Sequence, residues 1–273
     1  MGDASPTFRS LSLVRGETPP LAIRFWDPVL NAPVGDGLTA SVRLANGQGA
    51  VVAGAGGPAG LYRFPGMPGW QRLLAAGPDC LLTVTDARGR FLPLLLRLPG
   101  PLPAQLEAEE PESPDAPRRL LLCSAPARPV PTGMVALRGQ LWDHAADAPA
   151  AYAAVAASDG SRSYAGAADE RGCLALILPV PPLRPALRNG NGNGGGWRPT
   201  LRVRYGGSSG WSPAAPPDLA RLDDQPPGLL FATLNGPPAP QLDLAPQPGR
   251  DLILRTDQLP FLYVQPGTRS GSP

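Results

Sequence analysis

Proline and glycine interrupt this chain so often that no long continuous element fits between them. Its 38 prolines and 33 glycines are spread over 273 residues, about one breaker for every four positions. Proline stops a helix by removing a backbone donor, and glycine weakens helix and strand alike. What survives between the breakers is a series of short apolar or alternating runs. LAIRFW (21–26), LTASVRL (38–44), GLYRF (60–64), CLLTVT (80–85) and FLPLLLRL (91–98) come first. RLLLCSA (119–125), MVALRGQLWD (134–143), YAAVAAS (152–158), SYAGAA (163–168), CLALILPV (173–180) and TLRVRYG (200–206) follow. Runs of this length between turn residues predict an all-β chain of small sandwiches. Only GWQRLLAAG (69–77) and PDLARLDD (217–224) could make a turn or two of helix. Pro93 cannot donate to a ladder, so its strand belongs at a sheet edge or carries a bulge.

Composition along the chain suggests an organisation. Residues 1–13 read as an N-terminal arm, 14–104 as a first sandwich and 105–131 as an acidic, Pro-rich linker. Residues 132–212 read as a second sandwich. The Pro-rich stretch 213–273 reads as an extended C-terminal arm with a few strands, GLLFATL (228–234), DLILRT (251–256) and FLYVQ (261–265). It is too thin for a core of its own and is expected to lean on the second sandwich or on a partner. The NGNGNGGG run (189–196) cannot pack a core and reads as a flexible loop.

Internal repetition ties the two halves together. Trp26-Asp27-Pro28-Val29-Leu30-Asn31-Ala32-Pro33 and Trp142-Asp143-His144-Ala145-Ala146-Asp147-Ala148-Pro149 both read W-D-x4-A-P. Each follows an alternating strand and precedes a small-residue strand. Further on, GLYRFPGMP (60–68) and GCLALILPVP (172–181) are both strands led by glycine and running into proline. Two copies of one sandwich topology account for these matches.

The reactive inventory is narrow. All 24 basic residues are arginine, and there is one histidine. That removes Schiff-base and P-loop lysines and any cluster of histidine ligands. The net charge of +2 is small, and the acids of EAEEPESPD (107–115) lie apart from arginines that come singly or in pairs. A nucleic-acid binder gathers its basic residues into a stripe, so none is expected here. Cys80, Cys123 and Cys173 are widely spaced with no C-x-x-C pair, as for free thiols in a reducing compartment. His144 has Pro28 as its counterpart in the first copy and reads as a surface turn residue. Asp143, His144 and Asp147 lie on one short turn without the further distant donor a zinc site needs. Asp86 and Asp169 sit in D-x-R-G turns, where an aspartate bonds its local backbone. Asp218, Asp223 and Asp224 do not follow calcium-loop spacing. No catalytic residue, metal or cofactor is therefore expected. Trp26 and Trp142 read as core or interface residues, and Trp70, Trp197 and Trp211 in loop-like contexts are candidates for a binding surface.

LRGQLWDHAADAPAAYAAVAAS (137–158) with YAGAADERGCLALILPVP (164–181) is similar to the carboxypeptidase regulatory-like, or transthyretin-like, sandwich. That pattern is a strand, an aspartate-led turn, proline, a small-residue strand, then a D-x-x-G hairpin ending near Leu-Pro. RFWDPVLNAPVGDGLTASVRL (24–44), GLYRFPGMPG (60–69) and LLTVTDARGRFLPLLL (81–96) resemble a second, looser member. The tandem arrangement also resembles proteins of phage tail-like contractile injection systems. This resemblance implies a non-enzymatic structural subunit at a cap or baseplate, partnered by other protein subunits. The N-terminal MGDASPTFRSLSLVRGE lacks the pattern of a signal peptide, which fits assembly in the cytoplasm. The alternative expectation is a carbohydrate- or peptide-binding module that uses the loop tryptophans.

Overall fold

A computed structural model describes residues 21–47, 52–57, 60–64, 79–98, 119–181, 197–207, 211, 216–247 and 249–267. Among the described residues the protein is all-β, with several antiparallel sheets and one short helix. It divides into two compact units. The first takes the described residues through Cys123 together with those from 216 to Asp224; the second takes Ser124 to Trp211 and Gln225 onward.

In the first unit, β1 (Leu21–Asp27) turns into β2 (Ala32–Pro33), and β1 pairs antiparallel with β6 (Leu61–Phe64). β5 (Ala55–Gly56) extends that sheet beyond β6. The facing sheet runs β4 (Val52–Ala53), β3 (Leu38–Leu44), β7 (Cys80–Asp86) and β8 (Leu94–Leu98). Alternation sets the register: Ala40, Val42 and Leu44 of β3 and Cys80, Leu82 and Val84 of β7 are buried, with more exposed residues between them. Ile23, Phe25 and Phe64 close the core from the other sheet, with Phe25 edge-on to Tyr62 at 4.9 Å between ring centroids. β8 begins just after Pro93 and ends the strand order, as a residue without a donor requires.

The second unit repeats this plan. β10 (Met134–Asp143) turns into β11 (Ala148–Pro149) and pairs antiparallel with β14 (Cys173–Pro179). β12 (Ala154–Ser158) lies between β13 (Ser163–Ala167) and β15 (Thr200–Arg204), and β15 continues to β17 (Leu242–Asp243). Each of these strands has a counterpart with the same partners in the first unit. The match extends to a parallel pairing. β9 (Arg119–Leu121) runs alongside β1, with Trp26 opposite Leu121. β18 (Leu252–Leu254) and β19 (Leu262–Gln265) run alongside β10, with Trp142 opposite Tyr263. β16 (Leu229–Leu230), paired with β19, has no counterpart. Val135, Leu137, Leu141, Leu176, Val203 and Tyr205 are central in this core.

The glycine that leads β6 and β14 is explained by a close approach. Gly60 (φ +69°) lies against Val34 N and Phe25 O, and Gly172 (φ +74°) against Ala150 N and Leu141 O. A Cβ at Gly172 would stand 2.4 Å from the Leu141 carbonyl. In both copies that carbonyl accepts the first hydrogen bond after the W-D turn, from Val34 N at 3.0 Å and from Ala150 N at 2.9 Å.

The segment boundaries differ from the sequence expectation in three places. Within the expected linker 105–131, residues 119–123 belong to the first sandwich, because Leu120 and Leu122 are fully buried there. Residues 124–131 belong to the second, where Arg138 on β10 donates to the carbonyls of Pro126 and Arg128 and pairs with Asp251 at 2.7 Å. The expected arm 213–273 is divided as well. Its residues from 225 supply β16–β19 and complete the second sandwich beyond 132–212. Its residues 219–223 form α1 (Leu219–Asp223), which is N-capped by Asp218, buries Leu219 and Leu222, and belongs to the first unit. Pro217 O there accepts from Leu95 N of β8 at 3.0 Å. The expected arm 1–13, linker residues 105–118, helix turn 69–77 and loop 189–196 lie outside the described residues. No helix among the described residues is long and apolar enough to cross a membrane.

Candidate interaction surface

The W-D-x4-A-P repeat folds into the same turn twice. Asp27 Oδ1 accepts from Val29 N at 2.9 Å and Leu30 N at 3.3 Å. Asp143 Oδ1 accepts from Ala145 N at 2.9 Å and Ala146 N at 3.1 Å. The fourth of the four variable positions matters as well. Asn31 and Asp147 take positive φ (49° and 47°), a region that Asn and Asp tolerate. Their side-chain oxygens accept the indole N–H of Trp26 (3.3 Å) and Trp142 (3.0 Å). The Asp143 carboxylate is buried, and its second oxygen accepts the Tyr205 hydroxyl at 3.0 Å.

These bonds assign Asp143, His144 and Asp147 to structure. Asp143 holds its turn and Tyr205, Asp147 holds the indole, and the exposed His144 ring lies against two aromatic rings instead of the carboxylates. Asp86 accepts from the backbone N–H of Arg88 and Arg90 and from the Arg90 guanidinium, which also reaches Asp36. Burial pushes the Asp86 carboxyl up, but these bonds outweigh it and hold it below the usual aspartate value. Asp169 accepts from Arg171 N and Cys173 N, yet burial dominates and holds its carboxyl above the usual value. Both aspartates therefore act in turns, closed by Gly89 and Gly172 at positive φ. Asp218 caps α1, the Asp224 N–H bonds Ala220 O, and the buried Asp223 lies beside Cys123. Burial first, and Asp223 second, push the Cys123 thiol up to about 12. Among the described residues no group of three or more His, Cys, Asp or Glu converges on a metal position.

The loop tryptophans meet different fates. Trp197 packs against the second core with its indole nitrogen buried. The Trp211 ring lies 5.1 Å from that of Tyr152, a buried residue at φ 56° whose carbonyl accepts from Gln225 Nε2 at 2.8 Å. Trp70 lies outside the described residues.

The sequence did not single out the surface formed around Trp142. In β19, Leu262 and Val264 enter the core, so Phe261 and Tyr263 face the other way. Trp142 stands opposite Tyr263, and Phe231 follows β16 and bonds Tyr263 O through its backbone. Trp142 stacks on Phe261 at 5.0 Å between centroids, and Phe261 meets Tyr263 edge-on at 5.0 Å. Tyr263 meets His144 at 4.9 Å, and His144 stacks on Phe231 at 4.9 Å. Leu234 lies in the next loop, 46% exposed, its backbone N–H held by Asp257. Four rings, Trp142, Phe261, Tyr263 and His144, thus line the outer side of a sandwich sheet, where polar residues are the rule, with the buried Phe231 packed behind His144. The equivalent positions of the first unit hold Leu121 for Tyr263, Pro28 for His144 and Arg119 for Phe261. The tryptophan is shared with the first copy, as Trp26; the other aromatics distinguish the second.

No family model matches the sequence, and no curated protein matches it. Among solved structures, the Bacillus anthracis TIE protein aligns over 94% of this chain at 10% identity and a TM-score of 0.26. The alignment takes in 34% of that protein, so the chain spans about a third of its length. The shaft pilin SpaA of Lactobacillus rhamnosus GG aligns over 88% of this chain and 91% of its own, at 9% identity and a TM-score of 0.26. At these TM-scores the similarity is weak and carries no argument about function.

Proposed function

We propose that the protein is a non-enzymatic assembly subunit that contacts neighbouring protein subunits through the aromatic outer face of its second sandwich. The observation that carries this reading is the outward row Trp142, Phe261, Tyr263 and His144, backed by the buried Phe231 and present in one of two copies of the same fold. Aromatic side chains bring large contact area at low entropic cost and are enriched where protein interfaces are strongest. The aspartates and the histidine that could have carried chemistry are committed to turns and ring contacts, which supports the non-enzymatic part. The setting, a cap or baseplate of a phage tail-like contractile injection particle assembled in the cytoplasm, is what the tandem sequence resemblance implies. A carbohydrate-binding role has less in its favour, since the Trp197 indole is turned into the core.

A photo-crosslinking amino acid at position 263 tests the proposal in the native host. Crosslinks to other subunits of a large particle are the expected result. A chain that stays at monomer mass, with no protein adduct at 263 while adducts form elsewhere, overturns it.

A further inference from the structure

The aromatic row has a chemistry that selects its occupant. Its rings follow one another at centroid spacings of 4.9 and 5.0 Å. An extended polyproline-type segment docks on aromatic-lined surfaces at little entropic cost. The row is also flanked by carboxylates. Exposed Asp147 is bonded to the Trp142 indole, and exposed Asp257 is bonded to the Leu234 backbone beyond Phe231. Ring faces and carboxylates together favour a proline-rich strand that carries guanidinium groups.

The chain contains one such segment outside its described residues. Pro182-Leu183-Arg184-Pro185-Ala186-Leu187-Arg188 has two prolines three apart, two arginines and no acid. It is preceded by Pro179 and Pro181 and followed by the NGNGNGGG run. The proline-rich stretch 99–117 carries the acids of 107–115 and has the wrong charge for this surface, and PGMP (65–68) is followed by a single arginine, Arg72.

We infer that the aromatic face of the second sandwich is the docking site for residues 182–188 of a second copy of this chain. The inference rests on the assembly reading above and names the partner of that same surface. Proline rings complement Tyr263 and Phe261, and guanidinium groups complement the carboxylates of Asp147 and Asp257. Because donor and acceptor surfaces differ, the contact is heterologous. It links copies head to tail into a ring or a filament, according to whether the rotation closes.

Analytical ultracentrifugation of the full chain from about 1 to about 100 µM tests this directly. The expected result is concentration-dependent self-association. A synthetic peptide of residues 180–189 reverses it, and Arg184→Glu weakens it about tenfold or more. Trp142→Ala removes the ring, but its indole also holds the W-D turn, so Tyr263→Ser serves as the second surface variant, with circular dichroism confirming the fold. A chain that stays monomeric throughout overturns the inference. Association that neither the peptide, Arg184→Glu nor Tyr263→Ser alters also overturns it. In either case crosslinks from position 263 to other particle subunits would leave the assembly reading standing.

Discussion

The Trp142 indole donates to Asp147 at 3.0 Å, five residues along the chain, across a turn whose first carboxylate is buried. Trp26 and Asn31 make the same bond in the first sandwich at 3.3 Å. The turn fixes where β10 ends and holds the tryptophan as the first ring of the aromatic row. Structure and proposed interface therefore share one small motif.

Asp143 is the residue on which that motif depends. Asp143→Ala leaves the N–H groups of Ala145 and Ala146 and the Tyr205 hydroxyl without their acceptor. The loss is expected to be about 3 kcal/mol, against about 1 kcal/mol for Tyr205→Phe, which removes both the hydroxyl and its need for a partner. Urea unfolding followed by tryptophan fluorescence measures both.

The glycines at the heads of β6 and β14 give a second contrast. Gly172→Ala places a methyl into the Leu141 carbonyl at positive φ, whereas Gly89→Ala meets the same φ penalty with open space around it. Thermal unfolding is expected to show a loss of about 1 kcal/mol for Gly89→Ala and at least twice that for Gly172→Ala.

Much of this plan was legible in the sequence. The alternation in LTASVRL and MVALRGQLWD marks β3 and β10 at their observed ends, because one face of each meets a core. The repeat of Trp26 and Trp142 identified the duplicated fold. Two-residue strands such as β2 and β11 leave no periodicity to read. The tail's strands and their lean toward the second sandwich are expected from the sequence, but the strands they pair with were hidden for another reason. Leu242 to Gln265 pair with strands far back in the sequence, and parallel pairing of β19 with β10 leaves no local signature. The aromatic surface was hidden by the same distance, since Trp142 meets Phe261 and His144 meets Phe231 only once that register is set. His144 was read correctly as a surface turn residue, but its two ring partners could not be foreseen.

The two buried thiols, Cys80 and Cys123, are expected to be silent in the folded protein. Cys123 is pushed to about 12, and burial pushes Cys80 and Cys173 up as well. At pH 8 the Cys123 thiolate fraction is on the order of one in ten thousand. A disulfide reagent should label Cys80 and Cys123 only after guanidinium is added; rapid labelling of the native chain would contradict the burial seen here.

Acid should act on the two D-x-R-G turns in opposite senses. The Asp86 carboxyl is lowered on folding, so its contribution is present above the unfolded aspartate value and is lost as pH falls through the folded one. The Asp169 carboxyl is raised, so its contribution declines as pH rises from the unfolded value through the folded one. Melting temperatures between about pH 2 and pH 7 should therefore show a flatter acid decline for Asp86→Asn and a steeper one for Asp169→Asn.

The proposed role of the chain is that of a subunit held by the aromatic face of its second sandwich. Density-gradient sedimentation of native host extract, with wild-type protein and folded Tyr263→Ser compared side by side, tests it most directly. Wild-type chain is expected in a high-mass fraction with other particle subunits, and the variant displaced to low mass. Wild-type chain sedimenting as a free, folded monomer, or a variant that stays in the high-mass fraction, would contradict it.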